Sequence, residues 1–182
     1  MKRSIRVSGI LATALLIALV GPVAAQQFKT DLTGYEETPL TINSDASGKF
    51  TAKVVKLKGG GTEIDYELTY QDLSSAVQQA HIHFGRPAIS GQIVLFLCTN
   101  LAPPTGVPTP QACPAPPAKI TGTLTAADVI AGPTQGIDAG AAGLDEMIEA
   151  MRAAAAYANV HTDNFPSGEI RGRIPGDGNN NH

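Results

Sequence analysis

In Thr62-Glu63-Ile64-Asp65-Tyr66-Glu67-Leu68-Thr69-Tyr70-Gln71, polar and apolar side chains alternate from Glu63 onward. A strand repeats every two residues, so Ile64, Tyr66, Leu68 and Tyr70 share one face and Glu63, Asp65, Glu67 and Thr69 the other. A helix would scatter both sets around its surface. The stretch is therefore a strand with one side on a core and the other towards water. Upstream, Lys49 to Leu57 has the same character, and Gly59-Gly60-Gly61 turns the chain between the two runs, which predicts a hairpin.

The rest of the chain follows this pattern of short strands and turn punctuation. Phe28 to Leu32, Ala80 to Phe84, Gln92 to Thr99, Tyr157 to Val160 and Glu169 to Ile174 read as strands. Ile93-Val94-Leu95-Phe96-Leu97-Cys98 is continuously apolar, the mark of a strand covered on both faces. Asn100 to Ala118 holds seven of the 13 prolines; proline donates no ladder hydrogen bond, so this is a surface loop. Two helical pieces follow. Thr125-Ala126-Ala127-Asp128 has the composition of a capped helix start. Leu144, Met147, Ile148 and Met151 fall at i, i+3, i+4 and i+7, an apolar stripe that packs on the sheet.

At the N-terminus Lys2, Arg3 and Arg6 precede an apolar run from Val7 to Val20, which Gly21-Pro22 ends before Val23-Ala24-Ala25. This is the pattern of a cleaved export signal over residues 1–25, and the apolar run is shorter than a membrane span needs. Cleavage leaves a domain of roughly 150 residues, long enough to bury a substantial core. The expected product is periplasmic or extracellular, with no membrane span. The formal charge of the whole chain is −3, and it becomes more acidic once the basic leader is gone. That argues against nucleic acid as a partner, since phosphate contacts need clustered Lys and Arg. An oxidising compartment permits a disulfide between Cys98 and Cys113, which flank the proline-rich loop. The alternatives are two free thiols or thiolate metal ligands. The polar tail, residues 175–182, is expected to be disordered.

The chemical signal lies in the histidines. Of four, one is the last residue, and His81, His83 and His161 occupy two short segments. His81 and His83, two apart on a strand, point to one face, while Ala80, Ile82 and Phe84 point to the other. Two imidazoles at that spacing can converge on one ion, and His161 would complete a three-nitrogen site if its strand lies alongside. Neutral imidazoles suit copper or zinc, and three ligands leave a position open. The competing reading is structural: ring N–H groups donating to backbone carbonyls or carboxylates. Glu169, Arg171 and Asn159 are the polar residues placed to support such a site or to act structurally, for instance as a surface ion pair.

Three segments together resemble the CHRD (chordin-type) domain family. They are Leu32-Thr33-Gly34-Tyr35-Glu36-Glu37-Thr38-Pro39, Ala80-His81-Ile82-His83-Phe84-Gly85 with Ser90-Gly91-Gln92-Ile93-Val94, and Tyr157-Ala158-Asn159-Val160-His161-Thr162 running into Phe165-Pro166-Ser167-Gly168-Glu169-Ile170-Arg171-Gly172. The resemblance covers residues 28 to 174, with the proline-rich loop and Ala153-Ala154-Ala155-Ala156 as departures, and places the domain at 26–174. It implies a mostly β fold: an immunoglobulin-like or superoxide-dismutase-like antiparallel β-sandwich or barrel with one or two short helices. Animal members sit within chordin, an extracellular antagonist of growth factors, and single-domain bacterial-type members have no general assigned activity. A second resemblance joins His81-Ile82-His83 and Val160-His161 to the copper-ligand strands of copper–zinc superoxide dismutases, which are also β-sandwiches. No bridging histidine and no zinc loop accompany it. A GxSxG elbow, a phosphate-cradling loop and an HExxH helix are all absent from the sequence. The expectation is an exported, non-catalytic module that binds an extracytoplasmic protein or small ligand, with a histidine metal site for copper or zinc. The alternatives are a copper-dependent redox protein and a purely structural envelope or matrix protein.

Overall fold

The computed structural model describes residues 26–175. The leader, and the tail beyond Pro175, lie outside the described residues. Eight strands follow in order: β1 (Gln27–Thr33), β2 (Ser47–Lys56), β3 (Thr62–Gln71), β4 (Val77–Phe84), β5 (Gln92–Thr99), β6 (Ala118–Leu124), β7 (Ala156–Thr162) and β8 (Ile170–Ile174). One helix, α1 (Gly140–Arg152), lies between β6 and β7. The strands form a single sheet, β5-β4-β7-β8-β1-β2-β3-β6, and every pairing is antiparallel. The sheet curls into a nearly closed barrel. Across the gap between its edge strands, the Tyr66 hydroxyl on β3 donates to the Leu97 carbonyl on β5 at 2.7 Å.

The β2–β3 hairpin is in the expected register, from Ser47↔Gln71 to Lys56↔Thr62. Gly60 and Gly61 in its turn have φ of 89° and 91°, which side chains with a Cβ resist. Ile64, Tyr66, Leu68 and Tyr70 are buried as the alternation requires. They join Phe28, Leu32, Phe50, Ile82, Val94, Leu95, Val160 and Ile170 in one core. Fully burying a side chain of this size stabilises by about 1.5–3 kcal/mol. The stripe of α1, Leu144, Met147, Ile148 and Met151, is at most 2% exposed and closes that core. β5 is covered on both faces, as its apolar run predicts, and its outer edge is capped as well. The Thr99 N–H donates to the Gln111 carbonyl at 2.9 Å, and the Ile130 N–H donates to the Val94 carbonyl at 2.9 Å.

One strand was not foreseen. The segment after the proline-rich loop forms β6, which pairs with β3 from Ala118↔Tyr70 to Leu124↔Ile64. Its inward positions are Ala118, Ile120, Gly122 and Leu124, and the glycine interrupts the apolar alternation. The glycine is there because the Tyr66 ring lies over it; a Cβ at Gly122 would sit 2.7 Å from the Tyr66 hydroxyl. The piece starting at Thr125 is a single 3-10 turn, Ala126–Asp128, closed by a capping box with Asp128. Cys98 and Cys113 are joined in a disulfide with Cα atoms 5.0 Å apart, fastening the proline-rich loop to the end of β5.

Candidate metal centre

β4 and β7 are neighbours in the sheet, and their register decides the site. His81 pairs with Asn159, His83 with Tyr157 and Gln79 with His161. On the next strand, Asn159 pairs with Arg171. One face of β4, β7 and β8 therefore carries His81, His83, Tyr157, Asn159, His161 and Arg171. Ala80, Ile82, Ala158, Val160 and Ile170 point the other way, into the core. A polar face would ordinarily be wet. Here the chain after β1 and the loop from Gly85 to Gly91 cover it, leaving His81 0%, His83 6% and His161 6% exposed.

The three rings meet. Centroids of His81 and His161 are 4.6 Å apart and those of His81 and His83 5.1 Å. One nitrogen from each forms a group within 4.8 Å of one another. His81 Nδ1 lies 3.1 Å from His83 Nε2.

Backbone carbonyls fix two of the tautomers, because a carbonyl only accepts. His83 Nδ1 donates to the Gly91 carbonyl at 2.9 Å and His161 Nδ1 to the Pro166 carbonyl at 3.0 Å. Each ring is thereby left with a bare Nε2 lone pair. His81 has a single proton to place. On Nδ1 it serves His83 and leaves His81 Nε2 bare. On Nε2 it leaves two lone pairs facing each other at 3.1 Å. His81 Nε2 and His161 Nε2 are both buried with no hydrogen-bond partner. Buried polar atoms are rarely left so.

Electrostatics keep the rings neutral. Burial drives the His81 pKa well below 6.5, and the neighbouring His161 and His83 add to it. Burial brings His83 down to about 4, although its bond to Gly91 acts the other way. His161 is lowered by burial too. Neutral imidazoles are the form that binds metal, so the donors are ready without losing a proton.

A second layer holds the first. The Tyr157 ring stacks on His83, with centroids 4.5 Å apart and planes 7° from parallel. The Arg171 guanidinium lies on that tyrosine, 3.4 Å from the ring centroid. Arg171 also donates to the Thr38 hydroxyl and to the Ile89 carbonyl at 2.9 Å, clasping both covering segments. The Tyr157 hydroxyl accepts the Gly91 N–H at 3.0 Å, which steadies the peptide that orients His83. Asn159 donates to Glu37 Oε1 at 2.5 Å and to the Ile170 carbonyl at 2.9 Å.

Asn159 and Arg171 thus share the histidine face, and Glu169 does not. Its carboxylate accepts from Ser44 Oγ, Ser74 N, Ser74 Oγ and Thr162 Oγ1, all within 3.0 Å, and locks three chain segments together. Burial alone would raise its pKa, but these donors outweigh it and hold the carboxyl below 4.5. Sequence reasoning gave no role to Glu37 or Tyr157. Glu37 is 5% exposed, and desolvation raises its pKa to about 7 against the pull of Asn159 and Arg171. The signal was a carboxylate inside a quoted motif, but only the fold brings it over Asn159.

Comparison with known proteins places a family model described as CHRD domain on residues 28–174. No curated protein and no solved structure matches the chain.

Proposed function

This chain belongs to the CHRD domain family, and we propose that it is an exported, non-catalytic binding module whose three histidines hold one transition-metal ion, copper or zinc. The observation that carries the metal reading is the pair of buried, partnerless nitrogens, His81 Nε2 and His161 Nε2, in a cluster of neutral rings. Leaving one such atom unsatisfied costs on the order of 1–3 kcal/mol, and an ion satisfies it. The carbonyl bonds at Gly91 and Pro166 do what outer partners of metal-bound histidines do, fixing the ring and its tautomer. A bound ion would supply Lewis acidity or redox chemistry. The protein's part is to orient the rings, exclude bulk water and cross-brace β4 and β7. The leader pattern and the Cys98–Cys113 bridge support export, with an extracytoplasmic protein or small ligand as partner.

The test is metal content. The purified protein is loaded with copper or zinc at micromolar concentration, freed of excess and assayed for metal per chain. One ion per chain is expected, and none in His81→Ala/His83→Ala with the far-ultraviolet circular dichroism retained. Failure of the wild type to hold stoichiometric metal removes the proposal. Export is checked separately, by N-terminal sequencing of protein from the cell exterior or periplasm, with Gln26 expected first.

A further inference from the structure

Resting on the metal reading above, we infer that the site selects a monovalent cuprous ion over divalent copper or zinc. The donor set is three neutral imidazoles. Among the described residues no thiolate or carboxylate joins the group, so nothing in it offsets an ion's charge. The covering segments leave the rings 0–6% exposed. The self-energy of an ion removed from water rises with the square of its charge, so a divalent ion meets a fourfold larger penalty than a monovalent one. The formal charges nearby do not correct this. The Arg171 guanidinium lies 3.4 Å over the Tyr157 ring, which in turn stacks 4.5 Å from His83. That cation repels a second positive charge twice as strongly when the charge is double. Glu37 turns its Oε1 to the Asn159 amide, outside the ligand group.

Coordination number points the same way. Zinc in closed protein sites takes four ligands at about 2.0–2.1 Å from nitrogen. Here the His161 and His83 ring centroids lie 4.6 and 5.1 Å from that of His81, so the three rings can face one ion. The three donor nitrogens lie within 4.8 Å of one another, so binding draws the rings inward onto the ion. The wall beside His81 is the Phe96 ring, 4.7 Å away, which offers no donor. Two or three nitrogens complete a cuprous site, whereas zinc on three imidazoles takes a fourth ligand, ordinarily a water, which this covered site would have to admit.

Cu(I) and Zn(II) are both d10 ions, so comparing them sets aside ligand-field preference. The purified protein is titrated anaerobically with Cu(I) against a cuprous chelator, and with Zn(II) and Cu(II) against chelators of their own. The expected result is one Cu(I) per chain, with a Kd at least a thousandfold below that for Zn(II) and at least tenfold below that for Cu(II). The latter ratio places the bound couple at least 59 mV above the free one. Phe96→Glu sets a carboxylate beside His81 and is expected to narrow the Cu(I)-to-Zn(II) ratio at least tenfold. Zn(II) or Cu(II) binding as tightly as Cu(I), or a ratio unmoved in folded Phe96→Glu, overturns the selectivity and leaves the metal site standing. Binding of none of the three ions removes both.

Discussion

Glu37→Gln tests a carboxylate buried against Asn159 on the histidine face. Desolvation raises its pKa from 4.5 to about 7, with Asn159, Arg171 and the Thr38 backbone pulling the other way. A carboxyl raised on folding is most welcome in the fold when protonated. Its contribution is complete below pH 4.5 and is lost as pH rises through about 7. At about 1.4 kcal/mol for each tenfold step, ionised Glu37 costs the folded state about 3 kcal/mol by pH 8. Glutamine keeps an oxygen for the Asn159 amide, which now reaches Glu37 Oε1 at 2.5 Å, and does not titrate. The variant is expected to match wild type near pH 5 and to exceed it by about 2–3 kcal/mol at pH 8. The assay is urea unfolding from pH 5 to 8 with a chelator present, so that metal binding does not enter. Parallel stability curves for the two proteins would refute the reasoning, because they would mean that Glu37 ionises as readily folded as unfolded.

Other outcomes follow from equally local features. Gly168→Ala forces a φ of +125° on a residue whose Cβ would sit 2.6 Å from Glu37 Oε1 and 2.8 Å from Asn159 Nδ2. A loss of about 2 kcal/mol or more in denaturant unfolding is expected, while Gly59→Ala, with nothing within 4 Å, stays within about 1 kcal/mol. Cys98→Ser/Cys113→Ser opens a loop between residues 15 apart in sequence and is expected to lower stability by about 3 kcal/mol, read from the urea midpoint. Glu169, held below 4.5, gives stability that is complete above that pH and lost as pH falls further. Glu169→Gln should flatten this acid limb and cost about 1–3 kcal/mol at pH 7, since an amide nitrogen cannot accept from Ser74 or Thr162.

Much of the fold was legible because its signals are local. The Thr62–Gln71 alternation, the Gly59–Gly61 turn and the α1 stripe each follow from a period or a backbone preference. β6 escaped because Gly122 removes an apolar side chain where the Tyr66 ring needs the room, a constraint set by a residue 56 positions away in sequence. The site was legible in its parts. His81 and His83 had to share a face, but their meeting with His161 depended on β4 lying beside β7 in the observed register.

The sequence by itself determined which side chains were available: strands with one apolar face, three imidazoles on polar faces and cysteines bracketing a loop. Backbone period, proline chemistry and residue identity act within a few positions and need no partner to be read. Only the tertiary structure decided that the polar face would be dry, that Gly91 and Pro166 would set two tautomers, that Glu37 would be buried against Asn159 and that Arg171 would lie on the Tyr157 ring. Those outcomes depend on covering segments brought from elsewhere in the chain. Burial is a property of the assembled layers, and it is burial that turns three ordinary histidines into neutral donors facing one another.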